Sequence, residues 1–418
     1  MQLTHRAGCV LTGVLLLGLL ACGCSSEPAP TTGLVPSPST ATATPPPTEE
    51  ATEVPPADPT PTMGQEELDR RLIDAAWADD VDRARRLIDS GADVNAQDDT
   101  QQSAFLIATS EGYDELLDLT LRHGADVDAR DSFDGTGLIR AAERGHWQVV
   151  GRLVRAGVRL DHVNNLGWTA LHEAVTLGDG SQRYVDTVRV LVAAGVDVAI
   201  PAGRDGRTAE ETARDSGFAP IAELLGRAAA GDRGNLDGDA DAVALALRQG
   251  AHLESRDVHD RTPLLRAATD DRVDTARVLV AMGADPDALD DRHDTPWLVT
   301  GVTGSVAMLE VLLPAHPDLT IRNRFGGISV IPASERGHVD YVRRVVQTGI
   351  DVNHVNDLGW TALLEAVILG DGSARYQEIV RILLAAGADR SIGDHDGVTA
   401  LQHAEAQGQS AVAGILRG

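Results

Sequence analysis

The sequence predicts an all-α repeat fold, a solenoid of stacked helix-turn-helix units, and three observations carry that expectation. Of 418 residues, 43% are apolar but only 3% aromatic, so the core has to be assembled from Ala, Leu and Val. That composition suits closely packed small helices better than strands, which favour aromatic and β-branched side chains. From residue 65 onward the chain repeats itself at about 33 residues, a period typical of solenoids. The units share an ending: ARRLIDSGADVNAQD closes at Asp98, ARVLVAMGADPDALD at Asp290 and RILLAAGADRSIGD at Asp394.

In chain order, the first element is not a repeat. Arg6 precedes an apolar run, Ala7 to Ala21, shorter than the roughly 20 residues of a spanning helix and suited to a signal-peptide core. The run ends Leu19-Leu20-Ala21-Cys22, which resembles the bacterial lipobox. The resemblance implies that 1–21 is a lipoprotein signal peptide and that Cys22 becomes the lipidated first residue, with Cys24 a second candidate. Each buried methylene contributes roughly 0.8 kcal/mol, so several acyl chains on one residue hold a protein durably on a membrane. An uncleaved N-terminal anchor helix is the alternative.

Residues 22–64 follow as the lipidated cysteine and a tether rich in Pro, Thr, Ala and Ser without apolar periodicity. Such a segment is expected to stay disordered with polyproline II character. Its limiting reach is on the order of 120 Å. All three cysteines lie before residue 25, which excludes a disulfide framework or thiolate metal site in the repeats.

The opening half of the repeating unit reads DGRTAEETA from Asp205, DRTPLLRAA from Asp260 and DGVTALQHA from Asp396. Thr caps the first helix, and Pro fits its first turn because that position needs no N–H. Paired alanines let neighbouring helices approach, and Gly ends the second helix in a left-handed conformation. Together with the Gly-Ala-Asp ending, these residues resemble the ankyrin repeat over essentially all of the chain after the tether. The resemblance implies an ankyrin α-solenoid of about eleven helix-turn-helix repeats joined by short β-hairpins, stiff and curved, with a concave binding surface. In this register repeats 1–5 occupy 65–230 and repeats 6–11 occupy 231–418. The last helix of repeat five doubles as the start of the sixth. Pro314 and Pro317 stand where Gly-Ala is expected in repeat eight, which predicts a bend.

A larger repeat lies over the small one, because residue n corresponds to residue n+192 across five repeats. Residues 162–184 and 354–376 match at 19 of 23 positions, whereas 99–131 and 291–323 match at 7 of 33. Part of the retained block is repeat scaffolding. The rest includes His162, Asn164, Trp168, Asp179 and Tyr184 in one copy and His354, Asn356, Trp360, Asp371 and Tyr376 in the other. Each Trp precedes the helix-starting Thr, where side chains of ankyrin repeats point into the groove. Each Asp opens a five-residue insertion (DGSQR, DGSAR) expected to lengthen the loop between the two helices. These ten residues are candidate partner-binding residues, since Trp is favoured at interface hot spots. The alternative is a recent partial duplication whose Trp packs the hairpin and whose Asp-Gly makes a turn.

The formal charge of −27 argues against nucleic acid and against adhesion to an anionic membrane face, leaving the lipid anchor as the membrane contact. Asp237-Gly-Asp239-Ala-Asp241 has the spacing of a calcium loop, but Ala242 and Arg248 stand where Gly and Glu are required. No zinc, phosphate-loop or nucleophile-elbow motif is present, so no enzyme, cofactor or metal is expected. The expectation is a lipid-anchored scaffold on the extracytoplasmic face of the cell membrane that binds a protein partner. A receptor for a small molecule or cell-wall glycan, using the paired Trp patches, is the alternative.

Overall fold

A computed structural model describes residues 63–418; the apolar N-terminal run, Cys22 and nearly all of the tether lie outside the described residues. Ten helices form a first array in five antiparallel pairs: α1 (Gln65–Trp77) with α2 (Val81–Asp89), α3 (Ala104–Glu111) with α4 (Asp114–Arg122), α5 (Gly137–Arg144) with α6 (Trp147–Arg155), α7 (Ala170–Thr176) with α8 (Gln182–Ala194), and α9 (Ala209–Asp215) with α10 (Ala219–Ala229). A single helix, α11 (Ala240–Arg248), follows. A second array repeats the five pairs: α12 (Pro263–Thr269) with α13 (Val273–Ala281), α14 (Pro296–Thr303) with α15 (Val306–Leu312), α16 (Val330–Glu335) with α17 (Val339–Val345), α18 (Ala362–Ile368) with α19 (Ala374–Ala385), and α20 (Ala400–Ala406) with α21 (Ser410–Arg417).

Local chemistry accounts for the helix ends. Ser103, Thr136, Thr169 and Thr361 each accept a hydrogen bond from the third backbone N–H of the helix they open, a cap worth about 1 kcal/mol. Between repeats, an Asp or Asn folds the hairpin by accepting two backbone N–H groups: Asp131 takes those of Phe133 and Gly135, both at 2.8 Å. The expected β-hairpins are turns; two isolated bridges, Arg130 with Thr136 and Gly393 with Thr399, are the β-pairing among the described residues.

The odd-numbered helices of the first array stack as an inner layer and the even-numbered ones as an outer layer, but the stack does not continue past α10. α10 packs on α9 and α8 as the second helix of repeat five, so it does not open the sixth. Repeat six consists of α11 alone, which packs on α8 and α13. The expected continuous curved stack is therefore two arrays lying back to back, outer layer against outer layer, with inner faces turned away from each other. Apolar burial explains this. In α8 nine residues from Tyr184 to Ala193 are buried, and α6 buries Trp147 together with every residue from Val149 to Leu153. A helix apolar on all sides needs cover on all sides.

The contact is close and charged at its margin. A Cβ on Gly151 of α6 would come 2.5 Å from the carbonyl oxygen of Ala281, so glycine alone permits the approach of α13. Arg277 of α13 reaches the buried carboxylate of Asp186 on α8 (3.3 Å), and Arg189 beside it bonds Asp241 of α11 at 2.6 Å. The calcium-like stretch is thus structural: Asp239 caps α11 through the Ala242 N–H at 2.8 Å, and Asp241 holds Arg189. At Pro314 the second array continues without interruption; a short 3-10 turn, Leu313–Ala315, ends α15, and His316 takes the left-handed position (φ +54°) that glycine fills elsewhere.

Candidate binding grooves

The ten candidate residues divide by role. Asn164 is buried; its Oδ1 accepts the N–H groups of Leu166 and Trp168 at 3.0 Å, and its Nδ2 donates to Glu173 at 2.7 Å. Asn356 does the same with Leu358, Trp360 and Glu365. Both occupy the turn position held by Asp or Asn throughout the repeats, so they fold the hairpin and orient a glutamate. Tyr184 and Tyr376 are buried, each donating its hydroxyl to a backbone carbonyl of the preceding repeat, Glu143 (3.0 Å) and Glu335 (2.8 Å). His162 and His354 bond the carbonyls of Asp134 and Gly326 at 2.7 Å and pin one hairpin to the next. Asp179 and Asp371 are exposed; the side chains of Ser181 and Ser373, and then their backbone N–H groups at 2.9 Å, hold both carboxyls below their ordinary range.

The insertion is shared between loop and helix. Loop 177–181 spans five residues against two between α5 and α6, and α8 runs 13 residues against nine for α6. It lies at the junction of the two layers, away from the hairpins.

Trp168 and Trp360 are half-buried at equivalent positions, and their surroundings differ. In the second array Trp360 walls a groove of about 450 Å³ along the inner face, with Phe325, Leu358 and Pro332 contributing apolar surface and Glu335 and Glu365 contributing carboxylates. Phe325 is 53% exposed and carries the Arg324 guanidinium 4.6 Å from its ring centre. In the first array Arg140 stands where Pro332 stands in the second. Arg140 pairs with Asp131, whose side chain is 1% exposed, and with Glu143 at 2.9 Å, and its guanidinium lies 5.2 Å from the Phe133 ring centre. In the second array Asn323 replaces Asp131, and Glu335, the counterpart of Glu143, makes no ion pair among the described residues. These determinants, Arg140 against Pro332 and Asp131 against Asn323, were missed at the sequence level; alignment at n+192 contains them, but in its less conserved parts.

The electrostatics follow. Burial pushes the Glu173 carboxyl up, with Asn164 and Arg140 holding it back. Burial raises Glu365 further, to about 7, assisted by Glu335 and opposed by the Asn356 amide. Among the described residues no group of three or more His, Cys, Asp or Glu could hold a metal ion, and no helix is long and apolar enough to cross a membrane.

Paired short helices, Asp/Asn turns and an inner face lined by hairpins define a helical-repeat scaffold. The chain belongs to the ankyrin-repeat family: the family profile for ankyrin repeats in three copies matches 105–202, 138–236, 298–392 and 333–417, and the single-repeat profile matches 259–291. The ankyrin repeat protein YahD of Escherichia coli is 35% identical over 180 residues, 43% of this chain and 90% of that protein. A crystallised ankyrin-repeat domain of Acinetobacter baumannii is 43% identical, with a TM-score of 0.41, covering 42% of this chain and 89% of that domain. A second crystallised ankyrin-repeat protein is 36% identical, with a TM-score of 0.42, covering 46% and 96%. Ankyrin repeats generally mediate protein–protein interactions, and their members are generally scaffolds without enzymatic activity.

Proposed function

We propose that this protein is a scaffold held at the extracytoplasmic face of the cell membrane by a lipidated Cys22, and that it binds a protein partner through the inner-face groove of its second array. The observation that carries the binding surface is that groove, walled by Trp360 and the exposed ring of Phe325 in a chain with only four Phe and five Trp. Aromatic side chains at the centre of a concave apolar surface are where interfaces concentrate their affinity. The Leu-Leu-Ala-Cys sequence and the Pro/Thr-rich stretch after it support an anchor and spacer.

Crosslinking in the native envelope, with the parent chain and with Trp360→Ala and Trp168→Ala, tests the binding surface. Trp360→Ala is expected to abolish capture while helicity by circular dichroism is kept, and Trp168→Ala to weaken it less; capture undiminished by either substitution defeats the reading. A Trp fluorescence response to cell-wall fragments instead of protein capture favours the glycan receptor. For the anchor, Cys22→Ala or globomycin treatment is expected to accumulate an unprocessed precursor, and normal processing in both sinks it.

A further inference from the structure

The two arrays are an internal control for each other. In the first, Arg140 places one guanidinium against Asp131 and Glu143 beside the Phe133 ring, while Glu173, the counterpart of Glu365, is bonded by Asn164. In the second, the same register offers Phe325, Glu335 and Glu365, but the arginine has become Pro332 and its place is open groove. Glu365 is only 6% exposed. Glu365 lines the groove; its Oε1 accepts from Asn356 at 2.8 Å, whereas its Oε2 has no donor among the described residues. A carboxylate so buried is stable when a donor or cation completes it.

The other charges at the rim do not supply that cation. Arg292 and Arg324 both lie 3.5 Å from Asp294, and Arg336 is exposed and makes no ion pair among the described residues. The groups that act on Glu365 are Glu335 from α16 and Asn356 from the hairpin; on α20, behind it, His403 is bonded to Asp394 at 2.7 Å.

We infer that the groove of the second array receives an arginine side chain from a partner protein, its guanidinium donating to Glu335, as Arg140 donates to Glu143 in the first array, and to Glu365 beside Trp360. Guanidinium suits the site because its planar fork bonds two carboxylates at once and tolerates aromatic faces. The net charge of −27 adds attraction for a basic segment. This inference rests on the reading of the groove as a protein-binding surface and names what that surface selects.

The test is to pan a displayed library of random seven-residue peptides against the full chain at pH 8, then measure an enriched peptide by Trp fluorescence. Enriched peptides are expected to share an arginine. Replacing it by citrulline, which keeps the shape and removes the charge, is expected to weaken binding about tenfold or more, as is Pro332→Arg, which supplies the guanidinium from within. Glu365→Gln with Glu335→Gln is expected to do the same. No enrichment, no shared arginine, or equal binding of the citrulline peptide overturns the inference. If Trp360→Ala still abolishes binding in that event, the groove remains the binding surface and only its selectivity falls. If Trp360→Ala has no effect either, both readings fall.

Discussion

The inner faces of the two arrays show what two substitutions do to a duplicated scaffold. The hairpins that carry Asn164 and Asn356, the caps Thr169 and Thr361, the buried tyrosines and the Asn–Glu pair are retained almost atom for atom, because each satisfies polar groups that burial would otherwise leave bare. The difference lies between them: Arg140 with Asp131 in one copy, Pro332 with Asn323 in the other. In the first, opposite charges meet inside the protein. In the second, the cation and its Asp131 partner are both gone, and Glu335 is left without an ion pair among the described residues. The architecture was duplicated, and the electrostatics diverged.

Arg140→Ala breaks this comparison most strongly. It leaves the Asp131 carboxylate, 1% exposed, without its cation. Removing one partner of a buried pair costs about 3–5 kcal/mol, and Arg140 is exposed enough to expect the lower end. Pro332→Ala at the equivalent position is expected to cost less than about 1 kcal/mol, since it strands no charge. Urea unfolding of both variants decides; equal losses would falsify the claim that the first groove is held by its own arginine.

The second effect separates the arrays by pH. The Glu365 carboxyl is raised from 4.5 to about 7 in the fold. Its neutral form is therefore favoured, so no penalty exists below pH 4.5; a cost accumulates as pH rises towards 7 and is constant beyond. The ceiling is about 3 kcal/mol. Glu365→Gln is thus expected to match the parent near pH 4 and to exceed its stability at pH 8. Glu173→Gln is expected to gain less, because Arg140 already favours the charged form there. Stability curves at the two pH values that run parallel for Glu365→Gln reject this account.

How much of this was legible in the sequence follows from the range of each interaction. The helix pairs were, because Thr169 or Gly195 acts on its own helix end and leaves a local mark. So was the five-repeat duplication. The back-to-back packing was not read, although its sign was present: α8 and α13 (VDTARVLVA) carry apolar residues on nearly every side, which an outer helix facing water would not need. The site was half legible. The Trp positions follow from the register, but retention between copies marks Asn164 as a contact residue although the same turn position holds Asp98, Asp131 and Asp290 in other repeats. Retention between copies marks whatever cannot change, and a buried turn residue qualifies as readily as a binding residue.

The asparagines supply a smaller test. Asn164→Ala removes two turn hydrogen bonds and the one donor to Glu173, whose other oxygen is already buried without a partner. Asn356→Ala removes the same bonds, but Glu365 lines the open groove, where water can reach it. Both are expected to lose about 1–3 kcal/mol, with Asn164→Ala the larger. The reverse order, measured by thermal unfolding, contradicts the difference drawn between a closed and an open face.

The smallest contrast concerns the inserted loops, where the copies agree in sequence and differ in what they meet. Gly180 and Gly372 both adopt left-handed backbone, φ +70° and +69°. A side chain at either position therefore costs about 1 kcal/mol from the backbone alone. A Cβ on Gly180 would also run into the Phe218 ring, which is partly buried against the core and cannot swing aside. On Gly372 it would meet Gln409 Cγ at 3.0 Å, a milder approach than the ring makes to Gly180. Gly180→Ala is accordingly expected to destabilise by about 1 kcal/mol more than Gly372→Ala, the extra loss coming from overpacking. Equal destabilisation means that the loop moves as a unit and that the ring does not constrain it.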